Sequence, residues 1–259
     1  AALKSPANNV RNSGFTRLEA AGAKAVPAVA ELLNDANPYV VARAVWLLAQ
    51  MGEEGVQHVK RQLVSEDADR RLVASRALRR SSEILGERSG IARGLVSDDS
   101  PRVRADLATA LLTFSDADAR AAALVEIAKR FDGKDRAYLE SLGLGAKGIE
   151  SAVYLAAKTA MAADSPETWS EAFAWIAWRL HPAEAVSDFK ARALNDKLTP
   201  DQRKLMLTAI AFAPGREAAG AMLELAHTKG FPMQDLAKWW LMNRKGNDWK
   251  AYDIDGSMK

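Results

Sequence analysis

The chain has 259 residues, of which 48% are apolar and 27% charged, with 36 Lys and Arg against 33 Asp and Glu. A surplus of three positive charges does not by itself argue for a nucleic-acid partner. Without cysteine the chain cannot carry a disulfide, a thiol nucleophile, a thiolate zinc site or a covalently attached c-type haem. No apolar run approaches the roughly 18 residues that a membrane span needs, and no basic-then-apolar leader opens the sequence. The start, Ala1-Ala2-Leu3-Lys4, lacks Met and is expected of a processed or excised piece of something longer.

In chain order, Val10, Phe15 and Leu18 are predicted to share one side of a first helix that Gly22 closes. A second helix follows over 25–33, with Pro27 in its opening turn. Asn37 is a good N-cap with Pro38 in the first turn, and Val41, Ala44, Val45 and Leu48 recur at helical spacing. Gly52 is predicted to end that helix, and Val56, Val59 and Leu63 line its partner. Residues 69–98 form a third, less regular unit, interrupted by Arg79-Arg80-Ser81-Ser82. A fourth opens on Ser100-Pro101, carries Val103, Leu107, Ala110, Leu111 and Phe114, and pairs with a helix bearing Leu124, Ile127, Ala128 and Phe131.

These units share a period. Leu32-Leu33-Asn34-Asp35, Leu63-Val64-Ser65-Glu66 and Leu95-Val96-Ser97-Asp98 start 31 and 32 positions apart. A fixed period of that size marks a solenoid, in which each helix pair leaves an apolar face that only its neighbour can bury. Beyond 135 the period weakens while helical patterning continues. Ser165-Pro166-Glu167 and Thr199-Pro200-Asp201-Gln202 read as helix starts, the second with Gln at the capping-box position. Six of the seven tryptophans lie in this half, and Trp175 and Trp178, three apart, share a helix face. They are either larger core side chains or an aromatic docking surface. The expected organisation is 1–134 as four helix pairs and 135–259 as a less regular, Trp-rich continuation. The fold class is all-α.

The runs 37–44 (Asn-Pro-Tyr-Val-Val-Ala-Arg-Ala) and 100–105 (Ser-Pro-Arg-Val-Arg-Ala) resemble HEAT repeats. That resemblance implies an armadillo-like α-α superhelix of antiparallel helix pairs that serves as a binding scaffold. A narrower resemblance rests on 131–146 (Phe131 to Ala146) and on Lys238-Trp239-Trp240-Leu241-Met242-Asn243-Arg244-Lys245. Both runs are similar to the HEAT-containing region of large bacterial membrane-bound dehydrogenases, also called PVC-type haem-binding CxxCH proteins. The family implies a sugar-dehydrogenase-type β-propeller before the helical region, a c-type cytochrome after it, and export beyond the cytoplasmic membrane. This chain departs from it, with no CxxCH and no propeller strands. What carries over is a spacer or docking platform between catalytic modules.

Several motifs have a bland reading beside a chemical one. Gly143-Leu144-Gly145-Ala146-Lys147-Gly148 matches the G-x-G-x-x-G spacing, but residues 135–142 before it read as helix where a dinucleotide fingerprint needs a strand. The glycines instead suit a helix break and close helix approach. His58, His181 and His227 stand far apart, without metal-ligand spacing. Asp132-Gly133-Lys134-Asp135 lacks the alternating oxygens of a calcium loop and reads as a turn. From Lys60 to Arg104 eleven basic residues face seven acidic ones, with Arg76, Arg79 and Arg80 on one helix side.

The expectation is a non-catalytic scaffold or docking module with no cofactor and no metal. It would act on proteins or on neighbouring domains of a longer chain. The candidate interaction residues are Arg76, Arg79, Arg80, Arg102, Arg104, Trp239 and Trp240. The alternative is a nucleic-acid-binding solenoid resembling HEAT-like DNA glycosylases and using the basic cluster at 60–104.

Overall fold

A computed structural model of the chain describes residues 1–81, 88–252 and 254. Among the described residues all regular structure is helical, and no strand occurs. None of the helices is long and apolar enough to cross a membrane. The chain divides into two compact units, Ala1–Leu107 and Ala108–Lys259. This division at 107/108 does not coincide with the 134/135 boundary expected from the weakening of the repeat.

In the first unit the α-helices are α1 (Asn8–Ala21), α2 (Val26–Ala30), α3 (Pro38–Leu48), α4 (Gly52–Gln62), α5 (Ala68–Leu78) and α6 (Arg88–Leu95), followed by the start of α7 (Pro101–Leu111). Each of α2 to α4 packs on its successor, and α2 and α3 also reach one helix further, to α4 and α5. The apolar stripes read from the sequence meet there: Val41, Ala44, Val45 and Leu48 of α3 bury against Val56 and Val59 of α4 and Ala74, Ala77 and Leu78 of α5. Contact between α3 and α4 is backbone-close, since a Cβ at Gly55 would lie 2.2 Å from Leu48 O.

Two sequence expectations need correction in this unit. Val10 is 43% exposed, because it lies five residues from Phe15, about 140° around the helix. Leu3, from the preceding turn, is buried in the core instead. Gly52 does not close α3, which already stops at Leu48; it opens α4 with φ +75°.

The period is written in polar turn contacts as well as in apolar residues. A side-chain oxygen accepts the backbone N–H two residues on at Ser5, Asp35, Ser65, Asp98 and Asp132, at intervals of 30, 30, 33 and 34 residues. Such local bonds hold a turn against helix continuation. Arginine clamps three of these turns from the following helix. Arg11 donates to Ser5 O and Pro6 O, Arg71 to Ser65 O and Glu66 O, and Arg104 to Asp98 O and Asp99 O.

The second unit holds the end of α7 and α8 (Ala117–Ala128), α9 (Arg136–Gly145), α10 (Glu150–Ala160), α11 (Glu171–Leu180), α12 (Val186–Leu194), α13 (Pro200–Phe212), α14 (Arg216–His227) and α15 (Gln234–Arg244). α8 packs on α9 and α10 on α11, and α12 to α15 pack in succession, most extensively α12 on α13 and α14 on α15. Next-but-one helices also touch: α9, α11, α13 and α15 form one series, and α8 pairs with α10 and α12 with α14. The predicted capping box is present, with Thr199 N–H donating to Gln202 Oε1 at 3.0 Å and Gln202 N–H to Thr199 Oγ1 at 3.3 Å. Ser165-Pro166-Glu167 does not start a helix. It makes one 3₁₀ turn, and Ser170 caps α11 by accepting the Phe173 N–H at 3.1 Å. Delaying the helix lets Trp169 turn inward, where its indole donates to Ala163 O at 2.8 Å and packs edge-on against Phe173 and Phe189.

Candidate functional site

The basic cluster of the first unit is largely committed to local partners. Arg76 Nε and Arg79 Nη2 each hold one oxygen of Asp106 at 2.7 Å. Arg102 pairs with Asp69 at 2.8 Å, and Arg80 lies 5.6 Å from the Trp46 ring centroid. Arg71 grips Asp98 with two bonds of 2.7 and 2.8 Å. Arg104 is a correction: it is 6% exposed and serves the turn beneath it, so it offers no surface to a partner. Ser82, Glu83 and Glu87, and the side chains of Arg88 and Arg93, lie outside the described residues. Arg76, Arg80 and Arg102 remain exposed; Arg76 and Arg102 share their charges with carboxylates, and Arg80 lies against Trp46.

The second unit presents a different surface. On α11, three residues apart, Trp175 and Trp178 stack edge to face at 5.5 Å and are each only half-buried. They form a wall of a half-open cavity of about 350 Å³ bounded by α13 through Gln202, Leu205 and Thr208. Arg136 of α9 lies over the Trp178 ring at 4.7 Å, and Arg192 of α12 also lines the space. Glu171, Asp201 and Lys204 are exposed at its edge. A second depression of about 260 Å³ shares Arg136 and Trp178 and continues to Glu140, Arg179, His181 and Phe212. From there the aromatic contacts run on, Phe212 to Trp240 at 5.5 Å and Trp240 to Trp239 at 4.7 Å. Phe212 is 45% exposed and Trp239 54%; Trp240 is half-buried between them.

Charge along this strip is arranged by one carboxylate. Glu140 takes Arg136 at 2.5 Å on one oxygen and Arg179 at 2.6 Å on the other. Burial by itself would raise its pKa, but the Arg179 hydrogen bond and the charges of both arginines hold it below the usual range. His181 ends α11 in the left-handed conformation, φ +33°, with Nδ1 3.0 Å from Trp178 O. Burial pushes its pKa down, and its ring faces Phe212 at 6.3 Å.

Of the residues predicted from sequence, Trp239 and Trp240 lie on this strip, and the arginines lie in the other unit. Sequence reasoning missed Arg136, Phe212 and Arg192. A signal for Arg192 was available, because it sits three positions after Phe189 on the apolar stripe formed with Val186, where a cation needs a reason.

Among the described residues no group of three or more His, Asp or Glu is placed to hold a metal ion. Gly143 and Gly145 lie inside α9, so the G-x-G-x-x-G spacing has no strand before it. They admit close neighbours: a Cβ at Gly143 would fall on the Arg179 guanidinium, and one at Gly145 on Ala108 O, each at 2.2 Å. Asp132 to Asp135 is a turn, in which Asp132 accepts the N–H groups of Lys134 and Asp135. The chain matches no protein-family model and no curated protein.

Proposed function

We propose that this chain is a non-catalytic docking module built as a HEAT-like α-solenoid, and that it binds proteins or neighbouring domains through the aromatic strip of its second unit. The solenoid reading is supported by turns that recur every 30 to 34 residues and by helices that touch their next-but-one neighbours. The docking reading is carried by one observation, the run of partly exposed Trp and Phe from Trp175 to Trp239. Aromatic anchors of this kind dominate interface energetics, and a solvent-exposed run of them is costly without a partner. Kinship with the CxxCH dehydrogenases, and with it a periplasmic or exported setting, rests on the runs at 131–146 and 238–245 alone. In that setting the module would space or dock redox domains and perform no oxidation itself.

The nucleic-acid alternative draws less support, since Arg76, Arg79 and Arg102 are already paired with carboxylates. Phosphates would have to displace those partners.

Two measurements test the proposal. Random peptides selected on the purified chain are expected to lose binding to a Trp175→Ala/Phe212→Ala/Trp239→Ala variant and to keep it with Arg76→Ala/Arg79→Ala/Arg80→Ala. Selected peptides that bind the aromatic variant undiminished would refute the docking surface. The purified chain is also expected to show no dye-linked oxidation of sugars or alcohols, and specific turnover would refute the non-catalytic reading.

A further inference from the structure

Arg192 differs from the other arginines around it. Arg136 and Arg179 share Glu140, whereas Arg192 has no carboxylate within ion-pair distance among the described residues. It is 2% exposed, its Nη1 donates to Pro166 O, its guanidinium lies 5.2 Å from the Trp169 ring centroid, and its Nε has no partner. Burial alone pushes its pKa down, with no neighbouring charge acting to restore it. A buried cation with incomplete hydrogen bonding is expensive, and an arriving anion offsets that cost. Arg192 is also among the residues that line the cavity walled by Trp175 and Trp178.

Resting on the docking reading above, we infer that the cavity receives the carboxylate of a Glu or Asp in an extended, apolar-rich peptide. The carboxylate meets Arg192, and flanking Pro, Leu or Phe side chains lie against Trp175, Trp178 and onward to Phe212. Three features favour this occupant. The cavity has the volume and mainly apolar lining of a specific site with a few orienting polar groups, here Arg192, Gln202 and Thr208. It continues into the second depression and the exposed Phe212 and Trp239, a longer track than a small carboxylate covers. Glu171 and Asp201 stand at the edge of the cavity beside Lys204, so the rim is of mixed charge and lacks the continuous basic surface that repeated phosphates of a nucleic acid require.

The test uses acetylated, amidated ten-residue peptides of Pro, Leu and Phe with one central Glu, and the same peptides with Gln or Lys in its place. None contains Trp, so the protein's own tryptophan emission reports binding. The Glu peptides are expected to bind, and the Gln peptides to bind about 10- to 100-fold more weakly, the range for a hydrogen bond to a charged group. Arg192→Met is expected to erase that difference with the far-UV circular dichroism unchanged; the Glu-against-Gln comparison on the unmutated protein stands whether or not this variant folds. Equal binding of Glu, Gln and Lys peptides that is lost in Trp175→Ala would overturn the carboxylate inference and leave the docking surface standing. Binding of none of them would overturn the inference, and the peptide selection described above then decides the docking surface separately. Benzoate binding as tightly as the Glu peptide would overturn the peptide in favour of a small carboxylate.

Discussion

Replacing Gly145 with Ala tests the helix approach on which the second unit is built. The new Cβ would lie 2.2 Å from Ala108 O and 2.9 Å from a Leu124 methyl. Ala108 O is backbone, so it cannot rotate away, and Leu124 is fully buried. Relief requires α9 to move by about 1 Å, disturbing the buried Leu142 and Ala146. Overpacking of this kind costs about 1–3 kcal/mol. Ala in place of a helical Gly returns up to about 1 kcal/mol, so a net loss of about 1–2 kcal/mol is expected. At about 2–4 °C per kcal/mol for a chain of this size, Tm falls by about 2–8 °C. Gly220 is the control, since it lies inside α14 with nothing within 4 Å of the place a Cβ would take, and Gly220→Ala should stabilise by up to about 1 kcal/mol. Thermal unfolding followed by circular dichroism reads both. A Gly145→Ala protein as stable as the parent would refute the close approach of α9 to the Ala108 backbone.

Further outcomes follow from individual contacts. Thr199→Ala removes one arm of the α13 capping box and should cost about 1 kcal/mol in urea unfolding; an unchanged midpoint would deny the cap a stabilising role. Asp98→Asn should cost about 3 kcal/mol near neutral pH, because it leaves Arg71 without its buried counter-charge. Burial works against the charged Asp98, but Arg71, the Ser100 N–H and Arg104 hold its pKa below the ordinary carboxylate value. Its contribution is therefore present above the unfolded-state pKa of about 3.9 and lost as pH falls through the folded value. The gap between parent and Asp98→Asn should close on acidification; a gap constant from neutral to acid pH would contradict that assignment. Tyr154→Phe deletes a 2.6 Å bond to Asp188, which Lys158 also holds, and should cost about 1–2 kcal/mol. A Tyr154→Phe protein with parental stability would show that the Lys158 pair alone satisfies Asp188.

Much of the local structure was legible because it depends on neighbours in the chain. Asn37 and Thr199 cap helices where their spacing placed them, and the Val41–Leu48 stripe is buried. Ser165 misled for a physical reason: Ser-Pro-Glu suits a helix start, but burying the Trp169 indole against Phe173 and Phe189 requires extended backbone at 169, which moves the start to Ser170. Val10 misled because an apolar residue five positions from Phe15 cannot share its helix face. The arginines at 76 and 79 read as a basic surface because Asp106, which neutralises both, is about thirty residues away in sequence.

The sequence by itself determined an all-helical chain, its capped helix starts and the turns that recur near every 32 residues, since these are set by backbone propensity and short-range hydrogen bonds. Which charges are spent and which aromatics remain open was decided only by the tertiary structure. Ion pairs and cavities join residues far apart in the chain, as Arg179 joins Glu140 and as Trp175, Arg192 and Leu205 line one space. Linear spacing cannot express those distances, and they are what distinguish an isolated buried arginine from a paired one.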